Sequence, residues 1–595
     1  MFVTMLALVL AMSSPQAPGL LPGTTPVLLG APAAADSPPP HLVAKQPGHY
    51  SKTDWQRVID STWGPGLSVS AKLAIFDSFW STIDDSFACF NSLDVNWDSL
   101  RAVYRAEVED TVSRGRFAAI MNHLAMALRE GHTIISDITV NYGTQLLPGV
   151  PLWVVGAWMD AGHFGAGLTP LPDSSLLVYR VAANHPLGLK PGDMVMGFDR
   201  RRWVDILREL EEAQLPIRQL YTWGSCSTAM TYSLLNAAGM NWHLFDTIDI
   251  VKYSTGDTVH LPTSWLEGQG MHLYATDQMD IPGVPMPSTD SMPAATYGVV
   301  SGTRIGYIYC WRWYYDAGAR FYDAVNALTS DPTLKGIIID FRFNQGGNMF
   351  LSDSGLNLLF HDSTATICFT ERSDPENHHA MRVVEPAGNF TVPGNGVGYD
   401  KPIAVLVGPG AVSSGDQVAY RMTFHPRVQT FGLSTNAAFN GRTGLSVFPG
   451  WYALYARVEA CLASDTTYFL THREFPVDVP VWHTRDAVAN GKDAVVEAAI
   501  AWVDSTSGIA EATPKHDART TMAPTIIHGV LYLREGTSSG ASPSCLLDAA
   551  GRNVMILRPG ANDVSRLGPG VYFVRSPETG DGRPGVCTRK VVLTK

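Results

Sequence analysis

The chain has no CxxC pair and no metal-finger spacing among its seven cysteines (Cys89, Cys226, Cys310, Cys368, Cys461, Cys545 and Cys587), which argues against a structural zinc site. It has no long Lys/Arg run and a net charge of −12, so a nucleic-acid partner is not expected, because phosphate binding needs a basic patch. Charged residues are only 16% of the total against 45% hydrophobic, the balance of a soluble globular chain with a lightly charged surface. Long apolar runs are missing too, and no stretch can make a stable membrane span. The apolar stretch Met1–Met12 suits the core of an export signal, although no Lys or Arg precedes it, and a small-residue run ends at Ala33-Ala34-Ala35. Residues 1–35 therefore read as a signal peptide. In an exported chain some cysteines can pair. Cys545 and Cys587, in one terminal region, are the most plausible couple, and the odd total leaves at least one thiol free or intermolecular.

The 595 residues are too many for one core, and the patterning changes along the chain. Residues 36–66 read as a Pro/Ser-rich linker. From 67 to 144 apolar residues recur at helical spacing (Leu73, Phe76, Phe79; Leu100, Val103, Tyr104; Phe117, Ile120, Met121, Leu124), with Asn96 or Asp98 available as a cap. This N-terminal helical domain closes at Glu130-Gly131-His132-Thr133. Residues 145–265 form a β-rich module, with strands at Leu176–Val181 and Met194–Phe198 and a helix from Trp203. Residues 295–505 alternate strands and helices; Gly336–Asp340 and Ile403–Val407 are unbroken apolar runs, as in a covered sheet, so this is an α/β core. A linker at 506–524 leads to an all-β region at 525–595, read as a small β-sandwich. The fold class is a multidomain α+β chain.

Chemistry is sought where open α/β sheets put it, just past strand ends. After Asp340 comes Phe-Arg-Phe-Asn-Gln-Gly346-Gly347, whose backbone N–H groups can stabilise an oxyanion or simply make a tight turn. After Val407 comes Gly408-Pro-Gly-Ala-Val-Ser413-Ser414-Gly415-Asp416, then a helix. A serine at such a strand–turn–helix tip follows the logic of a nucleophile elbow, with the Ser414 amide as a second oxyanion donor. Equally, Ser413, Ser414 or Asp416 could cap the helix. A serine nucleophile needs a base, and His132 stands out, on a glycine hinge after the last turn of the helical domain.

Together these segments resemble the S41 family of serine peptidases, the C-terminal-processing and tricorn-core group, over roughly residues 65–505. Leu128-Arg-Glu-Gly-His-Thr133 is similar to the end of that family's helical domain. Leu187-Gly-Leu-Lys-Pro-Gly-Asp193 is similar to the turn of a PDZ module, Gly336–Gly347 to the oxyanion strand and loop, and Ser413–Asp416 to the nucleophile segment. Glu474-Phe-Pro-Val-Asp478 and Gly491-Lys-Asp493 are similar to the family's closing motifs. The resemblance implies a ClpP/crotonase-like peptidase core with a PDZ-like module, no cofactor, polypeptide substrates and Ser413 as nucleophile. It also implies an oxyanion hole from Gly346 or Gly347 with Ser414. The processing peptidases use a lysine base about 25 positions after the serine, where Ala438 stands here, and Arg442 is no neutral base. The tricorn-type pattern of a histidine and a downstream glutamate is implied instead, falling on His132 and Glu474, with Asp416 or Glu130 as alternatives to the latter. A non-catalytic peptide-binding protein is the competing expectation. Leu567–Arg575 and Thr588–Leu593 resemble a type IX secretion sorting domain, which implies that secretion machinery as a partner. The implied destination is the medium or the outer surface, after passage through the periplasm.

Overall fold

The computed structural model describes residues 50–142, 150–155, 164–219, 223–269, 278–287, 293–384 and 390–506, then most of 525–594. The expected signal peptide, the 36–49 part of the first linker and residues 507–524 of the second lie outside the described residues. The described chain divides into two units, before and after about residue 509.

Four N-terminal helices, Lys52–Trp63, Val69–Ser86, Trp97–Glu109 and Arg114–Met126, each start where a polar side chain accepts an orphan amide. The caps are Ser51, Ser68, Asn96 and Ser113. The first helix corrects the expectation of a linker to residue 66. Ser51 and Asp54 close a capping box, and Trp55 and Ile59 are fully buried. The helical core of Ile75, Phe76, Phe79, Phe117, Ile120 and Leu124 continues onto Ala453, Tyr455 and Ala456 of the long strand Trp451–Leu462. That strand also pairs with Ile134–Asp137, which begins two positions after His132, and with Thr364–Arg372.

The β-rich module is an antiparallel sheet of Ala166–Pro170, Leu176–Val181, Met194–Phe198, Thr247–Val251 and Thr258–Pro262, in that order. The helix Trp203–Ala213 buries Trp203, Ile206 and Leu210 in its core.

The α/β region is a six-stranded sheet. Ile305–Cys310, Gly336–Asp340, Ile403–Val407, Val428–Gly432 and Val479–Pro480 run parallel, with Ala295–Val299 antiparallel at one edge. Alternate residues of one strand feed opposite faces: Ile337 and Ile339 join one core, while Ile338 joins Val495, Ala499 and Val503 of the closing helix Ala494–Thr506 in another. Two covering layers explain why these strands are apolar throughout. Gly336–Asp340 and Ile403–Val407 are direct neighbours, so the loops leaving their carboxyl ends meet. Beneath them the fully buried Arg342 is bound by Asp340 and, at 2.8 Å, by Asp493, which anchors the first loop.

The second unit has a five-stranded sheet and a separate pair of strands, with Leu531, Leu546, Leu557, Val564 and Val574 as its core. It corrects the Cys545–Cys587 couple. Cys545 pairs with Arg575, and Cys587 pairs with Ser576 of the same strand, Gly570–Gly580, which lies between them. Two strand spacings are about 9.6 Å, beyond the reach of a disulfide. Among the described residues no helix is long and apolar enough to cross a membrane.

Candidate active site

Ser413 stands between the strand Ile403–Val407 and the helix Ser414–Met422 with φ 60° and ψ −122°. A residue with a Cβ seldom adopts this backbone, and holding it there costs roughly 1–3 kcal/mol. The turn is held by its neighbours: Val412 N donates to Asn344 O at 2.9 Å, Gly415 N to Val412 O at 2.8 Å, and Gln417 N to Ser413 O at 3.0 Å. Although Ser413 occupies the N-cap position, its side chain makes no capping hydrogen bond. Ser414 Oγ donates to Gly347 O at 2.7 Å, and the Asp416 carboxylate receives the amides of Ala437 and Ala438. The Ser413 hydroxyl is thus half-buried and uncommitted, which a capping serine would not be.

The glycine loop lies directly against this turn. A Cβ on Gly346 would come within 2.7 Å of both Ser413 Cβ and Val412 O, and Gly346 has φ 79°. Its N–H is already used, donating to Asn344 Oδ1 at 3.0 Å. Gly347 and Ser414 differ: the Gly347 amide donates to no described acceptor, and Ser414 is the first helical residue, whose amide is an orphan by position. Of the residues expected to form an oxyanion hole, Gly347 and Ser414 hold free donors, while Gly346 permits the close approach. The Trp313 backbone braces the loop, donating from N to Gly346 O at 2.7 Å and accepting at O from Asn348 N at 2.6 Å. Gly346→Ala is expected to push the turn apart and lower kcat/KM about 100-fold or more, measured on a chromogenic peptide, with little change in KM.

His132 is buried, and its surroundings define its tautomer. Asn440 Nδ2 donates to Glu130 Oε1 at 2.8 Å, so the other amide atom, Oδ1, faces His132 Nδ1 at 2.8 Å. An amide oxygen can only accept, so Nδ1 carries a proton, and in the neutral form of the ring it is Nε2 that has the lone pair. Nε2 has no hydrogen-bond partner among the described residues. Glu130 lies 3.5 Å from Nδ1 and also accepts from the His132 amide and from Thr133 Oγ1. Burial raises its pKa, but the hydrogen bonds and charge of His132, with Asn440, outweigh this and hold it at about 2.

The stretch 434–440 links this histidine to the serine turn. Ala437 N and Ala438 N donate to Asp416 at 3.0 and 3.2 Å, Gln417 Nε2 to Phe439 O at 2.8 Å, and Asn436 N to Ala411 O at 2.8 Å. Ser225 N donates to Asn436 O at 2.8 Å, and Ser225 Oγ accepts from Gly131 N at 3.0 Å. Burial pushes the Asp416 pKa up to about 8, against the hydrogen bonds from Thr435, Ala437 and Ala438. Glu474 lies at the edge of this stretch: the amide of its neighbour Phe475 donates to Ser434 Oγ at 2.8 Å. Glu474 Oε1 accepts from Thr228 N at 3.0 Å, at the start of the helix Ser227–Asn236, and it makes no hydrogen bond or ion pair with His132 or Ser413. Asn344 and Asn440 carry no functional signal in the sequence. Asn440 and His132 are 308 positions apart, and no local pattern joins them.

Comparison with known proteins bears on this geometry. Residues 304–472 match the family described as Peptidase family S41, and residues 71–125 the Tricorn protease C1 domain. The first span contains the glycine loop, Ser413 and Asn440; Glu474 falls just outside it. Mature CPAF complexed with lactacystin is similar in structure, with 12% identity and a TM-score of 0.53 over 74% of this chain and 98% of that one. The photosystem II D1 C-terminal processing protease is 14% identical, with a TM-score of 0.36 over 70% and 94% of the two chains. The tricorn protease is 14% identical, with a TM-score of 0.33 over 73% of this chain and 37% of that one. No curated protein sequence matches the chain. The fold is a mixed helix and sheet multidomain arrangement with an N-terminal helical region. The chain carries a Peptidase family S41 domain and a Tricorn protease C1 domain, and it is a serine-type peptidase.

Proposed function

We propose that this chain is an exported peptidase, cleaving internally or from carboxyl termini, that hydrolyses polypeptides through an acyl-enzyme on Ser413. The observation that carries this reading is the uncommitted Ser413 hydroxyl on a strained turn against Gly346 and Gly347. In this reading His132 Nε2 takes the Ser413 proton as the oxygen attacks the carbonyl carbon, and later returns it to the leaving amine. Glu130 and Asn440 orient the imidazole and stabilise the imidazolium. The amides of Gly347 and Ser414 receive the oxyanion, and water releases the acyl group. Glu474 retains only a supporting role, through the helix it caps. The antiparallel module at 166–262 acts as a PDZ-like peptide clamp, and the C-terminal unit as a type IX sorting domain that delivers the chain to the outer surface or the medium.

A fluorophosphonate probe is expected to modify Ser413 alone, located by mass spectrometry of the labelled peptide. Casein hydrolysis without labelling at Ser413 would overturn the assignment. One observation favours a second, non-catalytic reading. Ser413 Oγ makes no hydrogen bond to His132, so the base contact has to be completed when substrate binds. Peptide binding with neither labelling nor turnover would decide for that reading.

A further inference from the structure

We infer that Cys368 and Cys461 form a cross-strand disulfide. The two residues are direct partners in the antiparallel pairing of Thr364–Arg372 with Trp451–Leu462. Ala463 N donates to Thr366 O at 3.1 Å, which makes 366/463, and by alternation 368/461, hydrogen-bonded pairs. Such pairs hold their Cα atoms about 5.5 Å apart, within the range disulfides span. The side chains point at one another: the sulfur atoms are 3.1 Å apart, about 1 Å more than the bond itself. Both residues are buried, and among the described residues Cys89, Cys226 and Cys310, the other buried thiols, have no cysteine as partner. The hydrogen bond with Cys461 also holds the Cys368 thiol below its usual range, the direction that favours it as the attacking thiolate.

The step is an exchange with a disulfide oxidant such as glutathione disulfide. The Cys368 thiolate attacks it and releases one glutathione thiolate. Cys461 then attacks the mixed disulfide and releases the second. Two S–H bonds are lost, one S–S bond forms, and the oxidant is reduced to two thiols. The bond would close a loop between positions 93 apart. It would also fix the strand whose other end pairs with Ile134 and Ile135 and whose Ala456 N donates to Thr133 Oγ1, beside His132.

The test uses the full chain, reduced and then equilibrated in the folded state with glutathione disulfide in mild denaturant. It is then unfolded in iodoacetamide and digested without reductant. A linked peptide pair containing Cys368 and Cys461, about 2 Da lighter than the sum of the two thiol peptides, is expected. Dithiothreitol should lower the Tm of the oxidised protein by on the order of 4 °C, and Cys368→Ala and Cys461→Ala should each lack that shift. Full alkylation of both cysteines after equilibration, or linkage of either to another cysteine, overturns the inference.

Discussion

Ser413→Ala is expected to lose at least about 10⁴-fold in kcat/KM on casein-derived peptides, with an unchanged circular dichroism spectrum and a Tm within a degree or so of the parent. The separation of activity from stability follows from what the side chain does. Its oxygen caps no helix and bonds no neighbour, so removing it leaves no buried group unsatisfied. Alanine keeps the Cβ and therefore the backbone strain at φ 60°, so the turn and the amides of Gly347 and Ser414 stay where they are. What is lost is the only atom assigned to form the covalent bond. A loss below about 10-fold would show that the hydroxyl is not the nucleophile, whatever else the site does.

Glu130→Gln is expected to lower kcat by roughly 10²–10⁴-fold with KM little changed, while Glu474→Gln stays within a few-fold of the parent. Glu130 is tied to the histidine directly and through Asn440, whereas Glu474 is tied to the amide of Thr228. Replacing Glu474 should cost only a helix cap, about 1 kcal/mol of stability. Near-equal kinetic losses in the two variants would sink the assignment of Glu130 as the orienting carboxylate. A pH readout separates its electrostatic role from a packing role. The folded pKa of about 2 lies below the ordinary 4.5, so the carboxylate contributes about 3 kcal/mol of stability above pH 4.5. That contribution is lost as the pH falls from 4.5 through 2. Urea unfolding at about pH 6 and about pH 3 should therefore show a smaller acid loss in Glu130→Gln than in the parent.

The elements that position the site were legible where a pattern is local. The strands Gly336–Asp340 and Ile403–Val407 appear with the expected bounds because burial on both faces demands an unbroken apolar run. The helix Lys52–Trp63 was hidden because only Trp55 and Ile59 of its residues are buried, and its signal is a capping box rather than a stripe. Ser413 was ambiguous because the spelling of a cap and of an elbow is the same; only the backbone angle and the idle oxygen separate them. The partners of His132 were out of reach for a different reason. Asn440 meets it across 308 positions, and tertiary pairing of that kind leaves no periodicity. The cysteine pair at 368 and 461 likewise depends on strand register, which neither spacing nor composition encodes.

The stretch 434–440 has a consequence for how activity is gained. It receives the Ser225 amide, binds Asp416 beside the nucleophile and holds His132 through Asn440. The competent site therefore exists only after segments around residues 130–132, 225 and 411–417, three distant parts of the chain, have docked on one short ribbon. Contacts this remote in sequence are slow to form, because the entropy of closing the large loops between them is lost before any contact repays it. During refolding, helical signal should thus return well before hydrolysis does. A newly made chain is thus expected to be folded in its parts before it is catalytically competent.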